Sequence, residues 1–322
     1  MSHSDSRHQS AGPIMIEAIG LSKYYGRFAA IDGVTFSVSQ GEVVAFLGPN
    51  GAGKSTTLKL LLQLIYPTNG TARILGKPAG EVEVRRRIGY LPENPYFYDD
   101  LTAEEVLSYF ASLFGLRGAD VARRVSTVLD DVGIAAERRM RLRGFSKGML
   151  QRVGLAQAIL NEPDVLFLDE PMSGLDPIGR RQVRDLILSL RQRGCTVFFS
   201  SHILPDAEAL CSRVAIVVQG RLVANGAVSE IAEFQLTGWE LVAADVNESL
   251  RSSIAGRARK VTSIGAGRFV IDLPPEVGPD RVLAELAAGG AHIVSLNPHR
   301  ETLEDYFIRQ VSAAAPRQTG ID

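Results

Sequence analysis

Hydrophobic and polar positions change period several times along the chain, and each change marks an element. The stretch Ile14 to Val38 holds two β-like segments, IMIEAIGLS and IDGVTFSV, with a turn region at Tyr24–Phe28, and predicts an antiparallel edge subdomain. EVVAFLG, Glu42 to Gly48, is a continuous apolar run of the kind buried on both faces of a parallel sheet. It ends in a Gly-rich loop, and KSTTLKLLLQLI follows directly as a helix. From Leu101 to Leu160 the pattern is helical: LTAEEVLSYFASLFGL opens on Thr102 three residues before Glu105, a capping-box spacing, and ADVARRVSTVLDDVGI supplies a second amphipathic helix. Alternation of strand and helix then returns, with VLFLDE and a helix after Pro177, CTVFFSSH and a helix after Ile203, and RVAIVVQGRLVANG as a closing hairpin.

After residue 232 the composition shifts, and the pattern predicts strand 239–246, helix 247–256, a hairpin across Gly265–Gly267, helix 278–289, strand 291–297 and helix 301–310. The order βαββαβ plus a last helix is ferredoxin-like. The expected layout is a disordered leader over 1–13, an α/β domain over 14–232 with a helical insertion at 100–160, a small α+β domain over 233–311 and a flexible tail over 312–322.

Composition narrows the function classes. With 45% hydrophobic and 22% charged residues the chain is globular, and 35 basic against 36 acidic residues leave no footprint of a dedicated nucleic-acid binder. Cys195 and Cys211, sixteen apart and without a nearby His cluster, fit neither a zinc site nor a disulfide framework and read as small core residues. MSHSDSRHQSAGP lacks the apolar core of a signal peptide, and no window approaches the ~20 apolar residues that span a bilayer. The expectation is a cytoplasmic protein whose membrane role is borrowed from a partner.

Two segments carry chemistry directly. Gly48, Pro49, Asn50, Gly51, Ala52, Gly53, Lys54, Ser55 and Thr56 satisfy G-x-x-x-x-G-K-S between a predicted strand and a predicted helix, the context of a phosphate-binding loop. Its amides can point at phosphate oxygens, helped by the helix N-terminus; Lys54 would reach the β and γ phosphates and the Ser55 hydroxyl would hold Mg²⁺. In VLFLDE, Asp169 would orient Mg²⁺, and Glu170, which cannot repeat that role because side chains alternate along a strand, would polarise the attacking water.

GFSKGMLQRVGLAQAIL, Gly144 to Leu160, chooses among P-loop proteins. It resembles the signature motif of the ABC ATPase family, usually Leu-Ser-Gly-Gly-Gln followed by Gln-Arg. Ser146, Gly148, Gln151 and Arg152 match, while Phe145, Lys147 and Met149 depart. The Ser-Lys-Gly-Met form resembles a bacterial branch serving export of lipids, polysaccharides, drugs or ions, and the C-terminal extension ending HRETLEDYFIRQV resembles that branch too. The resemblance covers residues 14–232 as motifs in order. It implies that Tyr25, with Tyr24 as rival, stacks on adenine; that Asp176 in SGLDP reaches across a dimer interface; that His202 contacts the γ-phosphate; and that Glu93 in GYLPE stands where the family usually has Gln, still able to ligate Mg²⁺.

The family logic further implies a composite site, with ATP held by Lys54 and Ser55 of one subunit and covered by Ser146, Lys147 and Gly148 of another. The partners implied are a second copy or a related ATPase subunit and separate transmembrane permease subunits, with no nucleic acid. A GTPase is disfavoured because no Asn-Lys-x-Asp segment follows the P-loop. DNA- or ribosome-directed relatives resemble tandem cassettes or heads on long coiled coils, and neither pattern is present. A nucleotide-gated binding module would not need Glu170.

Overall fold

The computed structural model describes residues 12–231, 236–300 and 302–314. Most of the expected leader and tail, and the expected boundary after residue 232, lie outside the described residues. The chain divides into two compact units, one up to Val228 that also takes in the chain from Gln310, and one over Ser229–Arg309.

In the first unit, β1 (Ile14–Tyr25) and β2 (Phe28–Ser39) pair as an antiparallel hairpin. β3 (Val43–Leu47), buried throughout, leads through the Gly-rich loop to α1 (Lys54–Leu61). That helix ends short of the predicted Ile65: Gln63 takes a left-handed φ of 50°. β4 (Asn69–Ile74) pairs with β1 and β5 (Lys77–Pro78) with β4, so the antiparallel sheet has the order β2-β1-β4-β5.

After the single turn α2 (Val82–Arg85) comes β6 (Ile88–Leu91), then the helices α3 (Ala103–Leu113), α4 (Ala119–Asp131) and α5 (Lys147–Ile159). The capping box forms at the start of α3: Thr102 accepts from the Glu105 N–H, and the Glu105 carboxylate accepts from the Thr102 N–H. The α/β alternation follows as β7 (Val165–Asp169), α6 (Pro177–Gln192), β8 (Thr196–Ser201), α7 (Leu204–Leu210), β9 (Arg213–Val218) and β10 (Arg221–Ala227).

These strands form a sheet in the order β10-β9-β3-β8-β7-β6, parallel except for the β10 edge. Its central strands are apolar runs because both faces are covered, which removes the polar alternation a half-exposed strand would show. Phe36 of β2 stacks on Phe198 of β8 at 5.3 Å between ring centroids, and Phe46 and Phe167 close around the same ring, joining the two sheets in one core. Cys195 and Cys211 are both buried and free; burial pushes the Cys195 thiol up to about 12 and raises Cys211 as well.

Across the junction runs α8 (Val228–Ile231). The second unit then follows as β11 (Leu236–Ala244), α9 (Glu248–Ala255), β12 (Lys260–Gly265), β13 (Arg268–Leu273), α10 (Pro279–Ala288) and β14 (His292–Arg300), before the last helix α11 (Leu303–Ala314). Its sheet is antiparallel with the order β12-β13-β11-β14. Leu241, Ile271 and Leu273 on the sheet meet Ile254, Val282 and Leu286 on the two helices.

Candidate active site

Sheet order decides which loops meet. β8 lies between β3 and β7, so the C-terminal ends of these three parallel strands bring together the Gly-rich loop, the acidic pair and the segment ending in His202. Such strand ends are where ligands meet an open α/β sheet.

The loop needs its glycines at two points of close approach. A Cβ at Gly48 would stand 2.5 Å from Val217 O, and one at Gly53, where φ is 105°, 2.6 Å from Ala30 O. Gly53 is the N-cap of α1 and offers no side chain to its amides, so the helix N-terminus opens uncapped onto a cavity of about 540 Å³. That cavity is lined by Phe28, Ala30, Asn50, Gly51, Gly53, Lys54, Ser55, Thr56, Glu93, Glu170, Ser173 and His202. Unpaired amides at the positive end of a helix dipole suit a phosphate chain.

Lys54, 7% exposed, folds back over the loop: its Nζ donates to Gly48 O at 2.8 Å and to Pro49 O at 3.3 Å, and lies 3.2 Å from Glu170 Oε1. The other carboxylate oxygen, Oε2, is 2.8 Å from His202 Nδ1. Asp169 is buried with Oδ1 accepting from Ser200 Oγ at 2.6 Å and from Ser55 Oγ at 3.2 Å. A serine hydroxyl and a carboxylate side by side are hard oxygen donors suited to Mg²⁺, which keeps most of its shell from water and substrate phosphates. Among the described residues no group of three or more His, Cys, Asp or Glu forms a cage of its own. Burial, reinforced by the Asp169 charge, pushes the nearby Tyr90 up to about 12.

One expectation is corrected here. Strand alternation does not separate Asp169 from Glu170, because β7 stops at Asp169 and Glu170 leaves it with a left-handed φ of 49°. The backbone turn, not the pleat, aims Glu170 at Lys54 and His202. GYLPE likewise is a strand before it is a loop: Gly89 to Leu91 lie in β6, and Glu93 follows as an exposed residue on the cavity rim.

The aromatic candidates separate. The Tyr24 hydroxyl donates to Asp32 Oδ1 at 2.6 Å, a bond that raises the Tyr24 pKa. Tyr25 is 52% exposed, with Lys23 Nζ 5.1 Å from its ring centroid, yet it does not line the cavity. Phe28, 64% exposed, does line it. The sequence pattern does not single out Phe28; its place two residues beyond Gly26 is the signal the sequence offers, and the structure sets it opposite Tyr25 in the β1–β2 register.

The signature segment lies elsewhere. Ser146 caps α5, its Oγ accepting from Met149 N at 3.3 Å, and Asp176 caps α6, its Oδ1 accepting from Gly179 N at 2.6 Å. With Lys147, Gly148, Arg152 and Gly174 they border a second cavity of about 470 Å³. The two cavities share no lining residue.

Fold and loop together define a P-loop nucleotide-binding protein. Comparison with known proteins narrows the class. Residues 31–173 match the family model described as ABC transporter. An ABC transporter ATP-binding protein of Synechocystis sp. is 44% identical over 280 residues, covering 86% of this chain and 77% of that protein. The bacitracin transport ATP-binding protein BcrA of Bacillus licheniformis is 34% identical over 303 residues, covering 92% and 97%. A solved ATP-binding subunit of an ABC transporter superposes with a TM-score of 0.63 at 35% identity, covering 68% of this chain and 92% of that one. The chain belongs to the ABC transporter ATP-binding family and is an ATP-hydrolysing subunit of a transporter. No helix among the described residues is long and apolar enough to cross a membrane.

Proposed function

We propose that this subunit works as a dimer, a homodimer or a pair with a related ATPase subunit, that hydrolyses ATP with Mg²⁺ and drives export through separate transmembrane subunits at the inner face of the membrane. The observation that carries the dimer is the separation of the two cavities: Lys54 and Ser55 line one, Ser146, Lys147 and Gly148 the other, so one chain supplies only half of each composite site. Asp176 sits beside the signature cavity and so belongs to the same interface.

In the phosphoryl-transfer template the γ-phosphate takes over Lys54 from Gly48 O, Pro49 O and Glu170, and His202 adds a second donor. Glu170, relieved of its ion pair, orients the attacking water and accepts its proton. Ser55, Asp169 and Glu93 would hold the divalent cation, which neutralises phosphate charge when bound. Tyr25 or Phe28 would stack on the base. Support for a transmembrane partner comes from exposed aromatic and apolar side chains after Glu93, Tyr96, Tyr98, Tyr109, Leu113 and Phe114, the last two beside a groove of about 750 Å³. Bacitracin transport by the relative supports an export role. The βαββαβ order with β12-β13-β11-β14 supports a ferredoxin-like second domain.

Size-exclusion chromatography tests the dimer. Glu170→Gln with ATP and Mg²⁺ should elute as a dimer, and adding Ser146→Ala should weaken that dimer while sparing ATP binding by the monomer. An ATP dimer indifferent to Ser146 would sink the composite site.

A further inference from the structure

Strand β8 contributes a residue that belongs to none of the motifs above. Ser200 is fully buried, and its register pairs it with Phe46 of β3 on one side and Asp169 of β7 on the other. Its oxygen accepts the Glu170 backbone N–H at 2.9 Å, and its proton goes to Asp169 Oδ1 at 2.6 Å. The direction is forced: a backbone N–H only donates and a carboxylate only accepts, so the single hydroxyl proton has one destination. One atom therefore ties the carboxylate of Asp169 to the backbone of its neighbour.

That neighbour needs the tie. Glu170 is a non-glycine residue at φ 49°, a conformation that persists where the surroundings over-determine it. Further bonds act on the same turn: Glu170 O accepts from Ser173 N at 3.0 Å, and the buried Gln151 of α5 donates to Pro171 O at 3.3 Å. Ser200 is hydrogen-bonded to both acidic residues.

We infer that Ser200 is a positioning residue for hydrolysis, its hydroxyl holding the Asp169 carboxylate toward Ser55 and the Glu170 backbone in the turn that aims its carboxylate at Lys54 and His202. This rests on the roles proposed for Asp169 and Glu170. Outer-shell partners of this kind typically cost about 10- to 100-fold in metal affinity or activity when removed.

The experiment compares Ser200→Ala, Ser200→Thr and Asp169→Asn in the full chain. Affinity for a fluorescent ATP analogue is measured in EDTA and in Mg²⁺, Mn²⁺ binding is followed by electron paramagnetic resonance, and thermal unfolding without nucleotide checks the fold. Ser200→Ala should bind nucleotide normally in EDTA and lose about tenfold of Mn²⁺ affinity and about tenfold of kcat. Ser200→Thr, which retains the hydroxyl, should recover most of both losses. Ser200→Ala with wild-type metal affinity and kcat, beside a defective Asp169→Asn, would overturn the inference alone. Equal loss of nucleotide affinity in EDTA would also overturn it, since general damage to the site would then suffice. An Asp169→Asn protein with wild-type metal dependence would overturn the reading of the site itself, and the inference with it.

Discussion

His202 presents Nδ1 to Glu170 Oε2 at 2.8 Å, while Oε1 of the same carboxylate faces Lys54 Nζ at 3.2 Å. The base candidate is thus bracketed by the two groups proposed to hold the phosphate. His202→Ala should leave ATP binding within a few-fold of wild type, because Lys54 and the loop amides remain, and should lower kcat by roughly 10²-fold. Titration of a fluorescent ATP analogue and a phosphate-release assay separate the two effects. Unchanged turnover would remove His202 from the mechanism.

Lys54 and Glu170 are both buried, so breaking the pair from one side leaves a desolvated charge. Lys54→Ala should lower nucleotide-free stability as well as abolish ATP binding. The double variant Lys54→Ala with Glu170→Gln should be more stable than the sum of the single changes, by about 1 kcal/mol or more. Urea unfolding of the four proteins measures the coupling, and strict additivity would show that the pair contributes nothing.

Gly48 stands against Val217 O with no room for a methyl group. Gly48→Ala should displace the loop and weaken ATP binding by at least about tenfold, an effect of roughly 1.4 kcal/mol. Isothermal titration of ATP gives the affinity, and a bound affinity like that of wild type would mean the loop accommodates the methyl.

Glu105 has its carboxyl held below the ordinary carboxylate range by the Thr102 backbone N–H and then by the Thr102 hydroxyl. A depressed carboxylate contributes stability that is fully present above its unfolded value, near 4.5, and is lost as pH falls through the folded value. Glu105→Gln should therefore melt below wild type at pH 7, and the gap should close as the pH is lowered past that range. A gap that persists unchanged in acid would assign the effect to packing instead.

Much of the first unit was legible because its signals are local. An apolar run ending in Gly48, a helix beginning at Lys54 and a Thr102–Glu105 cap each depend on a few consecutive residues. Asn50, Gly51, Gly53, Lys54, Ser55 and Thr56 of the P-loop accordingly lie around one cavity with Glu93, Glu170 and His202. Phe28 escapes because the pattern assigns it to the Tyr24–Phe28 turn whereas it opens β2, and the aim of Glu170 escapes because no propensity rule anticipates a left-handed glutamate at the end of a buried strand.

By itself, then, the order of residues determined which chemical groups the site contains: a helix start with glycines and a lysine, an acidic pair, a capped signature helix and a histidine after an apolar strand. Tertiary structure decided which of them meet. The order β3-β8-β7 places Ser200 beside Asp169 and His202 beside Glu170, and it leaves Ser146 at a different cavity. Strand order and register arise from packing between segments more than a hundred residues apart, Ser55 and Asp169 among them, and no local pattern of residues encodes that adjacency.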